Sequence, residues 1–269
     1  MLLIYQFSTL VKHLQINFLT LTHIFAIILG LSFGSFLNVI MYRLPNNEFF
    51  SKARSFCLHC RYQIPFYLNI PIISYLYLGG KCANCTKSIS LQYPIIEFLS
   101  ALIWWWASVS YELHQGILFI WICSILLAIS VIDQRTFLIP FPLILSALFG
   151  LLVYIYFNPS EWRVSFWGAI MGLGYLSLVF LLTSTLFNKQ TLGLGDLQLI
   201  VITGMWLGPV NVLLSIFLSA LLALIIWGII SLSKGLDRNR ALPFAPYLSG
   251  SAIILYILDI DLLAYLSAI

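Results

Sequence analysis

Long apolar runs separated by short polar breaks limit what this chain can fold into. A membrane-crossing helix needs roughly 20 mostly apolar residues, and about eight stretches approach that length. They lie near residues 19–41, 94–111, 115–133, 137–157, 164–187, 194–208, 210–232 and 244–266. Hydrocarbon offers no water to a backbone N–H or C=O, so such runs have to be helical. The expected fold class is an all-α polytopic membrane protein with about eight transmembrane helices. Charge agrees: 8% of the 269 residues are charged, where a soluble domain carries about 25%. That excludes an ordinary soluble domain, a disordered chain and a small secreted disulfide scaffold. It also leaves no nucleic-acid binder, because a net charge of +4 without a basic stripe offers no footprint for phosphates.

One segment breaks the apolar pattern. Residues 43–93 hold turn formers, six basic residues and four of the five cysteines. The chain then divides into an N-terminal segment with the first transmembrane helix (1–42), a four-cysteine module (43–93) and a transmembrane core (94–269). Lys12, His13, Gln15 and Asn17 precede a long span without a cleavable-signal pattern, so the first apolar run is expected to stay in the membrane. With the N-terminus outside, the inner loops gather Arg43, Lys52, Arg54, Arg61, Lys81, Lys87, Arg135, Lys189, Lys234, Arg238 and Arg240. Lys12 and Arg163 fall outside. This one-sided distribution is the positive-inside pattern, and it places the cysteine module in the cytoplasm.

The cysteines read Cys57-Leu-His-Cys60 and, 21 residues later, Cys82-Ala-Asn-Cys85. Two such pairs resemble a zinc ribbon, because four thiolates make the tetrahedral sulfur cage that Zn²⁺ accepts. A reducing cytoplasm argues against structural disulfides, leaving a redox pair as the rival. A small polar module also gains folding energy from the metal. Cys123 lies in a span and reads as a buried small hydrophobe. Glycines at spacing four (Gly30 and Gly34, Gly168 and Gly172, Gly204 and Gly208) read as close helix–helix packing.

Among nine acidic residues, Glu48 and Asp237 fall in inner loops, and Glu112, Glu161, Asp259 and Asp261 fall near the outer side. Glu97, Asp133 and Asp196 remain. Each sits in or at the end of an apolar run, where an ionisable group is expensive and points to function. The third span runs inward and ends at Asp133; the sixth runs outward from Asp196. Both aspartates are therefore expected at one depth near the cytoplasmic face. Two carboxylates that meet share a proton, so one serves as base on water while the other polarises a peptide carbonyl. Gly193 and Gly195 beside Asp196 would let a substrate backbone come close. The alternative is that each aspartate caps a helix or pairs with a cation such as Arg135. Glu97, just after Tyr93-Pro94, is open between a helix-start acid, a partner of Arg43 and a residue of a second chemistry.

Taken in order, these motifs resemble the type IV prepilin peptidase family. The likeness rests on Gly34-Ser-Phe-Leu-Asn38-Val, Tyr42-Arg43-Leu-Pro45, both cysteine pairs, Asn69-Ile-Pro71-Ile-Ile-Ser74, Tyr93-Pro94-Ile-Ile-Glu97, Asp133 with Pro140, Gly193-Leu-Gly195-Asp196 and Pro243-Phe244-Ala245-Pro246. It runs from about residue 30 to 250. The resemblance implies a GxGD-type aspartic endopeptidase of the bacterial inner membrane, with Asp133 and Asp196 as the catalytic pair and residues 94–269 as the peptidase core. Its substrates would be prepilins and pseudopilins, cut after a glycine that ends a short basic leader. Members with the cysteine module commonly methylate the new N-terminus using S-adenosylmethionine, and the four cysteines here favour that two-activity form. No residue string marks the site of this cofactor, and Glu97 is a candidate for it. Three positions depart from the family pattern: Gln198 where a lysine is frequent, Leu58 where a proline is frequent, and Ala245 where a glycine is usual.

A peptidase without methylation is the nearest rival, since no glycine-rich loop after a strand marks a Rossmann-type methyltransferase. A proton-coupled transporter would explain buried acids, but such proteins show repeats and acids near the midplane. A non-catalytic membrane scaffold explains the cysteines and leaves the aspartates idle. The oligomeric state is not legible.

Overall fold

The computed structural model describes residues 2–46, 54–187, 193–237 and 241–258. Glu48, Lys52, Lys189, Arg238, Arg240, Asp259 and Asp261 lie outside the described residues. Among those described there is no strand, only the isolated bridges Phe56–Gln63 and Lys81–Ser88. The chain forms two compact units, Met1–Ile120 and Trp121–Ile269.

The first unit is built on α1 (Leu2–Arg43) and α3 (Gln92–Ser110), with the short α2 (Ile73–Tyr77) between them. Two glycines let α1 and α3 approach at backbone distance. A Cβ on Gly30 would stand 2.7 Å from Ala101 Cα, and one on Gly34 would stand 2.6 Å from Glu97 Cα. Side chains then lock the pair: His23 Nδ1 lies 3.0 Å from Ser108 Oγ, and Asn38 donates to the Tyr93 carbonyl at 3.2 Å. α4 (Leu113–Thr136) begins in this unit and continues into the next. The sequence division at residue 94 groups α3 with the core, whereas its packing is with α1.

The second unit holds most of α4, then α5 (Phe141–Phe157), α6 (Trp162–Phe187), α7 (Leu194–Lys234) and α8 (Ala245–Leu258). The spacing-four glycines again set the closest contact. A side chain on Gly168 would strike the Gly204 carbonyl, and one on Gly204 would strike the Gly168 carbonyl. α8 packs on α7 through a buried hydrogen bond from Ser251 Oγ to the Ser215 carbonyl (3.0 Å) and a stack of Trp206 on Tyr256 at 4.3 Å.

The expected runs 194–208 and 210–232 are the two helical halves of α7, which meet at the non-helical residue Gly208. Gly208 has φ 78° and ψ 177°, and Pro209 follows it. Proline supplies no N–H and crowds the turn before it, and a left-handed φ is cheap only for glycine. Among the described residues, four helices are long and apolar enough to cross a membrane: Thr20–Arg43, Leu113–Thr136, Pro159–Leu186 and Leu194–Lys234. Phe141–Phe157 and Ala245–Leu258 are shorter apolar helices.

Candidate functional site

The two aspartates lie in the second unit, each at a helix end. Asp133 occupies the last turn of α4. That helix stops because Phe137 turns into the left-handed region (φ 55°) while its N–H still reaches the Asp133 carbonyl at 2.9 Å. The Asp133 side chain is 5% exposed, and its Oδ2 accepts the backbone N–H of Ala245 at 3.1 Å. Ala245 is fully buried and is the first residue of α8. The positive end of a helix therefore points at this carboxylate. The sequence reading missed this partner. Position 245 stood out only as a departure in side chain, yet what it supplies is a main-chain donor, which alanine provides as well as glycine.

Asp196 lies in the first turn of α7 and is half-buried. Its Oδ2 accepts the Gly193 N–H at 3.1 Å, and its own N–H donates to the Gly193 carbonyl at 3.1 Å. The aspartate thus caps its own helix, as one alternative held. It is not isolated, however: the charge of Asp133 acts on it, so the two carboxylates are electrostatic neighbours. Gly193 has an ordinary φ of −81°, and a Cβ there would make only an ordinary contact, 3.5 Å from Asp196 Oδ2. Gly195 is different, since a Cβ there would press on Ile139 at 2.9 Å. Gln198 is exposed.

The four cysteines come together in the first unit. Their sulfurs lie within 4.8 Å of one another, with Cys57–Cys85 and Cys60–Cys82 both at 3.9 Å. Tetrahedral Zn–S bonds of about 2.3 Å place sulfurs about 3.8 Å apart. The donor set and its spacing fit zinc. The two knuckles repeat one backbone design. Cys57 N–H bonds the Tyr62 carbonyl and Cys82 N–H the Lys87 carbonyl, both at 2.9 Å. Arg61 and Thr86, each just after a second cysteine, take left-handed φ values of 60° and 57°. That turn aims main-chain N–H groups at sulfur. The Tyr62 N–H draws Cys60 down to about 6, and the N–H groups of Cys85 and Asn84 lower Cys82. For Cys85 the Lys87 N–H pulls down most, but desolvation and three neighbouring sulfurs outweigh it and carry the thiol up to about 11. Four adjacent thiols do not all ionise on their own; a dication removes that conflict.

Between the knuckles and the α1–α3 pair lies a cavity of 390 Å³. Its lining includes Tyr42, Tyr62, Tyr75, Tyr93, Asn38 and Glu97. Glu97 is 7% exposed; its Oε2 accepts the Ile72 N–H at 2.8 Å, and the Ser35 hydroxyl also bonds the carboxylate. It does not pair with Arg43, whose guanidinium donates to the Arg54 carbonyl at 2.9 Å.

Comparison with known proteins adds to this geometry. Residues 28–111 match the family model described as bacterial peptidase A24 N-terminal domain, and residues 120–228 match the type IV leader peptidase family. A prepilin leader peptidase/N-methyltransferase of Stutzerimonas stutzeri is 32% identical over 252 residues, covering 83% of this chain and 86% of that protein. The chain belongs to the type IV leader peptidase family. A second leader peptidase/N-methyltransferase, from Pectobacterium carotovorum subsp. carotovorum, is 35% identical over 264 residues, covering 82% of this chain and 88% of its own length. A third, from Dickeya chrysanthemi, is 32% identical over 266 residues, covering 87% and 92%. No solved structure matches this chain. Both leader-peptidase segments coincide with the compact units: the N-terminal match lies within Met1–Ile120, and the second falls almost wholly within Trp121–Ile269.

Proposed function

We propose that this protein is a bifunctional prepilin leader peptidase and N-methyltransferase of the bacterial inner membrane, with Asp133 and Asp196 as its catalytic pair. The observation that carries the reading is that both carboxylates stand at helix ends of one compact unit, each held by a backbone N–H. The ionised carboxylate takes a proton from the attacking water while the protonated one donates to the scissile carbonyl. The Ala245 N–H fixes the orientation of Asp133, and the Gly193 N–H fixes that of Asp196. The scissile bond must leave its helix to be cut, because a helical carbonyl is already hydrogen-bonded. A glycine before that bond eases the unwinding.

The substrates are prepilins or pseudopilins with short basic leaders. The basic inner loops put the site at the cytoplasmic face, and about eight spans, with α7 counted as two, satisfy the positive-inside pattern. Cys57, Cys60, Cys82 and Cys85 hold a structural zinc ion. S-adenosylmethionine supplies the methyl group for the new N-terminus.

The test is incubation of the membrane-embedded protein with a model prepilin and S-adenosylmethionine, read by intact mass. Wild type should remove the leader and add one methyl mass. Asp133→Ala and Asp196→Ala should leave the substrate whole. Cleavage surviving in either variant refutes the assignment of the pair. Cleavage without the methyl mass supports the peptidase-only alternative.

A further inference from the structure

We propose that the cavity of the N-terminal unit binds the cationic methyl donor and that Glu97 holds the donor's positive charge. This deepens the two-activity reading above and rests on it.

The first argument is an uncompensated charge. Glu97 is almost fully buried, yet its recorded partners are neutral: a backbone N–H and a hydroxyl. A carboxylate withdrawn from water without a cation is costly, and proteins keep such groups where a ligand completes them. The cations lining the same cavity are engaged or placed elsewhere. Arg43 is held by the Arg54 carbonyl, and Lys87 is exposed.

The second argument is the shape and chemistry of the walls. A volume of 390 Å³ falls in the range of about 300–1,000 Å³ typical of small-molecule sites. Tyrosine rings from α1, the module and α3 line it. Aromatic faces with a carboxylate are the pairing that recognises onium cations, and they also accept a flat heterocycle. A sulfonium carrying adenosine presents both features.

The third argument is preorganisation. The segment over Glu97 is held in a strained form. Ile72 is β-branched yet has φ 58° and ψ −48°. L-residues of that kind rarely adopt this conformation. Glu97 restrains it through the Ile72 N–H, and Ser74 Oγ, 3.0 Å from the Ile70 N–H, restrains the residue before Pro71. Two hydrogen bonds hold the Glu97 carboxylate in one orientation at the cavity wall. Glu97 is therefore assigned to charge recognition. Methyl transfer would form a carbon–nitrogen bond from the lone pair of the neutral amine while the carbon–sulfur bond breaks with its electrons kept on sulfur, so the positive charge passes to a secondary ammonium and a neutral thioether leaves.

Full-length zinc-loaded protein in nanodiscs should be titrated with S-adenosylmethionine and with S-adenosylhomocysteine, which lacks the positive charge. Glu97→Gln is the main variant, because its amide oxygen still accepts the Ile72 N–H while the charge is gone. It should weaken S-adenosylmethionine by about tenfold or more and leave S-adenosylhomocysteine within about twofold. Zinc content and prepilin cleavage should match wild type. Ser88→Trp, on the exposed rim of the cavity, should weaken both ligands and serves if Glu97→Gln does not fold. Equal loss of both ligands in Glu97→Gln, or unchanged donor binding in both variants, overturns the proposal. So does a wild-type protein that cleaves prepilin but binds no donor. A wild type that binds donor and does not cleave leaves this inference standing and removes the peptidase reading instead.

Discussion

Asp133 shows what a sequence carries at the scale of one residue. An ionisable group at the end of an apolar run is legible, because burial makes it expensive. Its partner is not: the donor is the main chain of Ala245, and main-chain donors leave no trace in side-chain identity. This separation yields a prediction. Proline is tolerated at the first position of a helix but has no N–H, so Ala245→Pro keeps α8 and removes the donor. Hydrogen bonds to charged groups contribute about 1.5–3 kcal/mol, so kcat for prepilin cleavage should fall about 10–150-fold. Ala245→Gly keeps the N–H and should cleave at nearly the wild-type rate. Circular dichroism and a thermal midpoint would confirm that both variants fold. Equal activities for the two variants would show that this hydrogen bond has no part in the chemistry. A second residue-scale prediction concerns Asp196. Asparagine can still accept the Gly193 N–H, so Asp196→Asn should preserve the start of α7. It cannot exchange the catalytic proton, and cleavage should drop by about 10²–10⁴-fold. A variant that melts early instead would mark Asp196 as a helix cap.

At the scale of elements, the apolar runs map closely onto helices because both express one requirement, a backbone that satisfies itself away from water. Boundaries differ where local sequence is silent. α1 extends back to Leu2 through the polar opening expected to precede the span. The break expected between 194–208 and 210–232 is present: Gly208 leaves the helical region and Pro209 follows it, so α7 consists of two helical halves. The short helices of the cysteine module, Phe66–Leu68 and Ile73–Tyr77, carried no periodicity long enough to read. The spacing-four glycines did read correctly, and the α6–α7 contact makes their role measurable. A methyl at Gly204 would overlap the Gly168 backbone, which cannot rotate away as a side chain would. Gly204→Ala should therefore destabilise the protein by about 1–3 kcal/mol or prevent folding. Gly174, also in α6, has open space at its Cα. Alanine there should be neutral or stabilising by up to about 1 kcal/mol through helix propensity. Denaturant unfolding in detergent separates the two variants, and similar values would show that α6 and α7 do not meet at Gly168 and Gly204.

For the whole molecule, the proposed assignments put the two chemistries in different units. Cys57, Cys60, Cys82, Cys85 and Glu97 belong to Met1–Ile120, while Asp133, Asp196 and the N–H donors of Gly193 and Ala245 belong to Trp121–Ile269. Strong structural zinc is worth about 10–16 kcal/mol to a small module, more than such a module gains from its own core. Chelation should therefore unfold the knuckles and with them the walls of the Glu97 cavity. Both knuckle segments line that cavity, through Cys57 and Tyr62 on one side and Cys82 and Lys87 on the other. The aspartates keep every donor named above, so leader removal should continue. The expected outcome is one zinc per chain by elemental analysis, then selective loss of the methyl mass once the metal is stripped, with the cleaved product still appearing. Cys60→Ser should act in the same direction by removing one ligand of the cage. Restoring zinc should return methylation in the stripped wild type, which separates metal loss from irreversible damage. Parallel loss of both products would mean that the peptidase unit depends on the folded cysteine module, and the division of labour between the units would then be wrong.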